Sequence, residues 1–233
     1  MVNAMTTRTL LEISWDIDPS VICGCVLLPV LYFWRVKRQV WRSMIFTLGV
    51  AVLFLALESP IDTLADTYLF SAHMLQHLIL ILIVPPLLLL GIPFEEADSW
   101  LLLPMARKVE GVMGRPSVAW VSCIGLMTLW HLPILYNFAL AHEGVHIFQH
   151  LSFLITGTMF WWPIVGPIPG RRLAAIPAVF YLFAAVIENT VLGITITFMP
   201  VGYYLAYLHP HASQDVLDLV RNGWGISPAL DQK

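Results

Sequence analysis

Long apolar runs, separated by short polar connections, dominate this chain and decide what it can fold into. They lie at about 20–36, 43–57, 68–91, 117–140, 145–168 and 173–208. A helix needs about 20 predominantly apolar residues to cross a bilayer core. Helices are also the expected form, because each backbone N–H and C=O in lipid must be satisfied within its own segment or by a closed barrel. The runs are too long and continuous for barrel strands. The sequence therefore predicts one all-α domain, a polytopic integral membrane bundle of about six spans. The composition agrees: 58% of the 233 residues are hydrophobic and 12% charged, against about 45–50% and 25% in soluble domains. The second run is short, and the sixth needs tilt or a break near Gly193 or Pro200.

Charge sets the expected orientation. Arg35, Lys37, Arg38 and Arg42 fall between the first two runs, Arg107, Lys108 and Arg115 between the third and fourth, and Arg171 and Arg172 between the fifth and sixth. These alternate connections share one side and hold nine of the twelve basic residues. The positive-inside rule makes that side cytoplasmic and puts the N-terminus outside, in a cell-membrane protein. Glu58, Asp62, Asp66 and Glu143 fall on the opposite side. The first run follows acidic residues (Glu12, Asp16, Asp18) and not a basic n-region, so it reads as a retained span. A net charge of −3 with no dense basic cluster gives no reason to expect nucleic acid. Three cysteines make no disulfide framework.

The eight histidines then all fall towards the outer side. His73 and His77 are four apart, one turn above the other on a single helix face, and His146 and His150 repeat that geometry. His131 lies at a depth similar to that of His77. Imidazole suits first-row metals, and Met74 adds a soft thioether. Ionisable groups inside a membrane are costly and by default functional. His73, His77, His131, His146 and His150 are therefore the candidate metal ligands. Nitrogens in a preformed site should lie within roughly 3–4 Å of one another. Glu58 or Asp62 are the nearest candidates to accept from the ligands' other ring nitrogens. The plainer alternative is that each histidine only hydrogen-bonds a neighbouring helix. His142, His209 and His211 read as loop residues. Cys23 and Cys25, two apart, point to different helix faces. Glu188 reads as an interhelical hydrogen-bonding group or a paired carboxylate. Trp130, Trp161 and Trp162 read as packing or interface anchors.

These residues resemble a known family. Ser71-Ala72-His73-Met74-Leu75-Gln76-His77, followed by Pro85-Pro86-Leu87-Leu88-Leu89-Leu90-Gly91-Ile92-Pro93, is similar to the signature of the CtaG-type cytochrome c oxidase assembly factors. Trp130-His131-Leu132-Pro133, His146 with His150, Phe160-Trp161-Trp162-Pro163 and the opening Trp15-Asp16-Ile17-Asp18-Pro19 fit as well. The resemblance covers nearly the whole chain. It implies a non-enzymatic assembly factor that delivers copper to the buried copper B centre of a haem–copper oxidase, with oxidase subunits in the bilayer as partners. The same five histidines match the motifs; His142, the cysteine pair and Glu188 match none. The segment 227–233, with Asp231-Gln232, resembles one that precedes a further span, so a truncated product or a member without that seventh span is expected. From the residues alone, three other readings stand beside copper handling. They are a b-type haem protein with bis-imidazole ligation, a di-iron membrane hydroxylase, and a structural partner whose histidines only pack.

Overall fold

The computed structural model describes residues 6–15, 17–36, 39–208 and 213–233, and every regular element among them is helical. Asp16, Lys37, Arg38, His209 and His211 lie outside the described residues. Helix α1 (Thr7–Ile13) leads to α2 (Pro19–Arg35), whose start is local chemistry: Asp18 accepts from the Ser20 N–H at 2.7 Å and Pro19 takes the first helical position. Helix α3 (Val40–Glu58) turns at Ser59 into α4 (Pro60–Thr63) and a π turn, Leu64–Tyr68. The histidine-bearing α5 (Phe70–Leu78) runs through a second π turn, Ile79–Ile83, into α6 (Val84–Gly91). Two short helices, α7 (Phe94–Trp100) and α8 (Pro104–Met113), precede α9 (Pro116–Trp130) and α10 (Pro133–Ala141). The long α11 (Glu143–Val165) and α12 (Ala175–Phe198) follow, then α13 (Gln214–Asp218) and α14 (Pro228–Asp231).

Among the described residues, three helical stretches, Val40–Tyr68, Phe70–Gly91 and Ala175–Phe198, are long and apolar enough to cross a membrane. Helices α8 and α9 add a fourth if their 68° bend belongs to one span, and α2 is apolar but shorter. A polytopic helical bundle associated with a membrane fits these helices; length and composition do not establish the full six spans. The helices subdivide two of the apolar runs. The fourth run is two helices: α9 ends at Trp130, and Pro133, with no N–H to extend it, takes the first position of α10. The sixth run ends as a helix at Phe198, just before Pro200, while Gly193 is accommodated within the helix.

The core lies between α3, α5–α6, α9 and α11, with Leu80, Val84 and Phe153 fully buried in it. Close helix approach depends on Gly157 of α11, where an added Cβ would lie 3.1 Å from Ile81 Cα. The prolines of α6 have a matching device. Pro85 has no N–H for the carbonyl of Ile81 four residues back. Trp161 Nε1 of α11 donates to that carbonyl at 2.9 Å instead. Trp161 thus fastens α11 to the π turn that follows the histidines. Helix α12 behaves differently: only Ala185 and Ile196 are buried, and most of its apolar surface faces outward.

Candidate metal centre

Periodicity brings the histidines together, as the spacing predicts. His73 and His77 occupy one face of α5, with ring centroids 4.2 Å apart. His146 and His150 occupy one face of α11, also 4.2 Å apart. The two faces meet inside the bundle: His73 lies 5.2 Å from His146 and 6.0 Å from His150, and His77 lies 5.6 Å from His150. His131 joins from the end of α9, 5.5 Å from His77. One ligand nitrogen from each of His73, His146 and His150 falls within 4.8 Å of the others. That bound is wider than the 3–4 Å expected from the sequence. His73 and His77 are fully buried and His131 is buried, while His146 and His150 are partly exposed.

The hydrogen-bond inventory is the telling feature. Both ring nitrogens of His77, with Nε2 of His146 and Nε2 of His150, are buried and have no hydrogen-bond partner, and those of His73 are buried with the Ala65 backbone as a loose neighbour. Buried polar atoms are satisfied in the large majority of cases, and each orphan costs about 1–3 kcal/mol. Each neutral imidazole carries one lone-pair nitrogen, so the four touching rings of His73, His77, His146 and His150 can present four such donors. A first-row cation with imidazole preference fits this donor set.

Asp66 is the carboxylate beside the cluster. Its Oδ2 lies 3.3 Å from His146 Nδ1, and its Oδ1 lies 3.7 Å from His73 Nδ1. A carboxylate holding one ring nitrogen fixes the tautomer and turns the other nitrogen towards a metal. Sequence reasoning favoured Glu58 and Asp62. In the structure Glu58 accepts from the Asp18 N–H, and Asp62 accepts from Gln76 Nε2. Gln149 is a second residue the sequence did not single out: it is fully buried one turn from His146, with both amide atoms unpartnered. Its signal was the i, i+3 spacing from His146, which places both on one helix face.

The remaining candidates fall elsewhere. His142 is exposed at the start of α11, its Nδ1 against the Phe138 carbonyl at 2.9 Å. Glu188 accepts from Thr128 at 3.3 Å, the interhelical bond that was the plainer reading. Cys23 is exposed and Cys123 buried in the core. Cys25 faces a groove of about 520 Å³ between α2, α3 and α11. That groove leads to His146 and His150, and Asp18, Asp62, Asp66 and Glu143 line it as well.

Comparison with known proteins agrees with the motifs. The family model described as cytochrome c oxidase caa3 assembly factor matches residues 29–233. Uncharacterized proteins of Mycobacterium leprae and Mycobacterium bovis are each 26% identical, over 79% of this chain and 32% of their own length. The chain thus spans about a third of the curated relatives it matches. No solved structure matches.

Proposed function

The chain belongs to the cytochrome c oxidase caa3 assembly factor family, and from that premise we propose that it serves haem–copper oxidase maturation by holding copper as cargo on His73, His77, His131, His146 and His150. The observation that carries this reading is the set of buried, unpartnered imidazole nitrogens on His77, His146 and His150, with His73 packed against them. Packing alone gives no reason to bury them so. A metal bound about 2.0–2.1 Å from each nitrogen, the zinc–imidazole distance, draws its ligand atoms to within roughly 4 Å of one another. The 4.8 Å bound on His73, His146 and His150 then needs closure of only about 1 Å, within the reach of side-chain torsions.

Binding and release follow from the residues. Copper arrives along the acid-lined groove and meets the partly exposed His146 and His150 first. Asp66, 3.3 Å from His146 Nδ1, would favour the proton on that nitrogen and leave Nε2 to bind. His73 and His77 complete the ligand set from α5. Release to an oxidase subunit in the bilayer exchanges these ligands one at a time, and protons compete with the metal for each nitrogen. In this reading the groove mouth opens to the outer side, with the N-terminus outside and the basic loops cytoplasmic, and the positive-inside rule supports that orientation. The outward apolar surface of α12 suits contact with lipid or a membrane partner. Anaerobic copper titration of the detergent-solubilised chain tests the reading: copper binding that His73→Ala and His77→Ala abolish supports it, and unchanged affinity overturns it.

A further inference from the structure

The histidines are not equivalent, and the contact between His131 and Met74 sets one end of the cluster apart. His131 Nδ1 lies 2.7 Å from the Met127 carbonyl oxygen, which can only accept, so the ring proton sits on Nδ1. In the neutral imidazole Nε2 then carries a lone pair and no proton. Yet Nε2 faces the Met74 thioether sulfur at 3.2 Å, and that sulfur is itself only a weak acceptor. Two electron-pair donors thus point at each other in a buried place. A charged imidazolium would resolve the contact, but His131 is only 3% exposed and its hydrogen-bonding partners include no carboxylate. A buried charge without a counter-ion is the costlier arrangement. A soft cation between nitrogen and sulfur satisfies both.

Helix geometry supplies a third ligand and a route. Met74 and His77 are three apart on α5, so they are neighbours on its surface, while His73 is His77's neighbour on the other flank. His77 is fully buried, has both nitrogens unpartnered, and touches the rings of His73, His131 and His150. The triad of His73, His146 and His150 includes neither His77 nor His131.

We propose that the cluster comprises two subsites: a groove-side triad of His73, His146 and His150, and a deeper soft site of Met74, His77 and His131 that selects monovalent copper. Thioether and imidazole together favour Cu(I) over zinc or divalent copper. His77 stands between the subsites; its one lone-pair nitrogen would stay on the ion while the ligands on either side, His73 and His150 towards the groove and His131 and Met74 beyond, exchange around it. The ion keeps its oxidation state, so the step needs no oxidant or reductant. This inference rests on the copper-cargo reading.

The experiment is anaerobic Cu(I) titration of the full chain in detergent, in competition with a colorimetric Cu(I) chelator, followed by X-ray absorption of the copper-loaded protein. Cys23→Ser, Cys25→Ser and Cys123→Ala remove every other sulfur donor except the remaining methionines. Two equivalents and a sulfur scatterer are expected. Met74→Leu, close in volume and therefore mild in its packing effect, should weaken one equivalent by tenfold or more and abolish the sulfur signal. The other equivalent should keep its nitrogen-only coordination. Copper bound through nitrogen alone in the unmutated Met74 background overturns the soft site and leaves the triad standing. A Met74→Leu protein with an unchanged sulfur signal does the same. Absence of any bound copper overturns the cargo reading beneath both.

Discussion

Asp231 caps the histidine helix from 160 residues away. Its Oδ2 accepts from the Phe70 N–H at 2.6 Å, and its Oδ1 accepts from the Ser71 N–H at 3.2 Å and the Ser71 hydroxyl at 2.5 Å. The first turn of α5 has no cap of its own, since Leu69 precedes it. The next residue, Gln232, donates to the carbonyls of Ile196 and Met199 at the end of α12. The Asp-Gln pair thus ties the start of the helix bearing His73 and His77 to the end of α12.

Replacing that cap has a size. Loss of an Asp cap costs about 0.5–2 kcal/mol, and the two charge-assisted backbone bonds put Asp231 at the upper end. Asp231→Ala is expected to lower the thermal unfolding midpoint in detergent. Hydrogen exchange should rise first at residues 70–74. A midpoint and exchange pattern equal to those of the unmutated chain would show that the cap does not hold α5.

Asp66 acts on the cluster without needing to touch the ion. Asp66→Asn keeps the shape but loses the charge that orients His146 and His73. Partners of this kind are worth about 10–100-fold in metal affinity. Copper affinity should fall by that factor while helicity by circular dichroism stays the same. An unchanged affinity would detach Asp66 from the site.

How the sequence encodes the site differs from residue to residue. The pairing of His73 with His77 and of His146 with His150 follows from 3.6-residue periodicity, and the cost of bare imidazoles in lipid predicts that the two faces meet. Pro133 stands two residues after His131, where a proline removes a backbone bond. The full break was harder to read, because the freed His131 carbonyl finds its partner in the Tyr204 hydroxyl, 2.9 Å away and 73 residues later. Asp66 was not legible: Leu69 is extended (φ −132°, ψ 115°), so helical spacing cannot be carried from Asp66 to His73. The groove was hidden too, since it lies between α2, α3 and α11, which are far apart in sequence and meet only in the folded bundle.

Orientation is open to direct labelling. With the positive-inside assignment, a cysteine at Glu143 reacts with a membrane-impermeant maleimide added outside intact cells, and a cysteine at Arg171 reacts only after permeabilisation. A cysteine-free background (Cys23→Ser, Cys25→Ser, Cys123→Ala) keeps the readout clean. Labelling of both positions from the same side would refute the topology and with it the outward delivery of copper.

The central claim is that the buried imidazoles of α5 and α11 hold copper, and one measurement addresses it most directly: copper affinity of the purified, detergent-solubilised chain against that of His73→Ala and His77→Ala, with an absorption spectrum taken before and after loading. Losing a ligand should cost at least about 100-fold, more than the 10–100-fold due to a supporting group. The protein as purified should show no haem absorption. Equal affinity in the unmutated chain and both variants, or a bis-imidazole haem spectrum from the purified protein, would contradict the account.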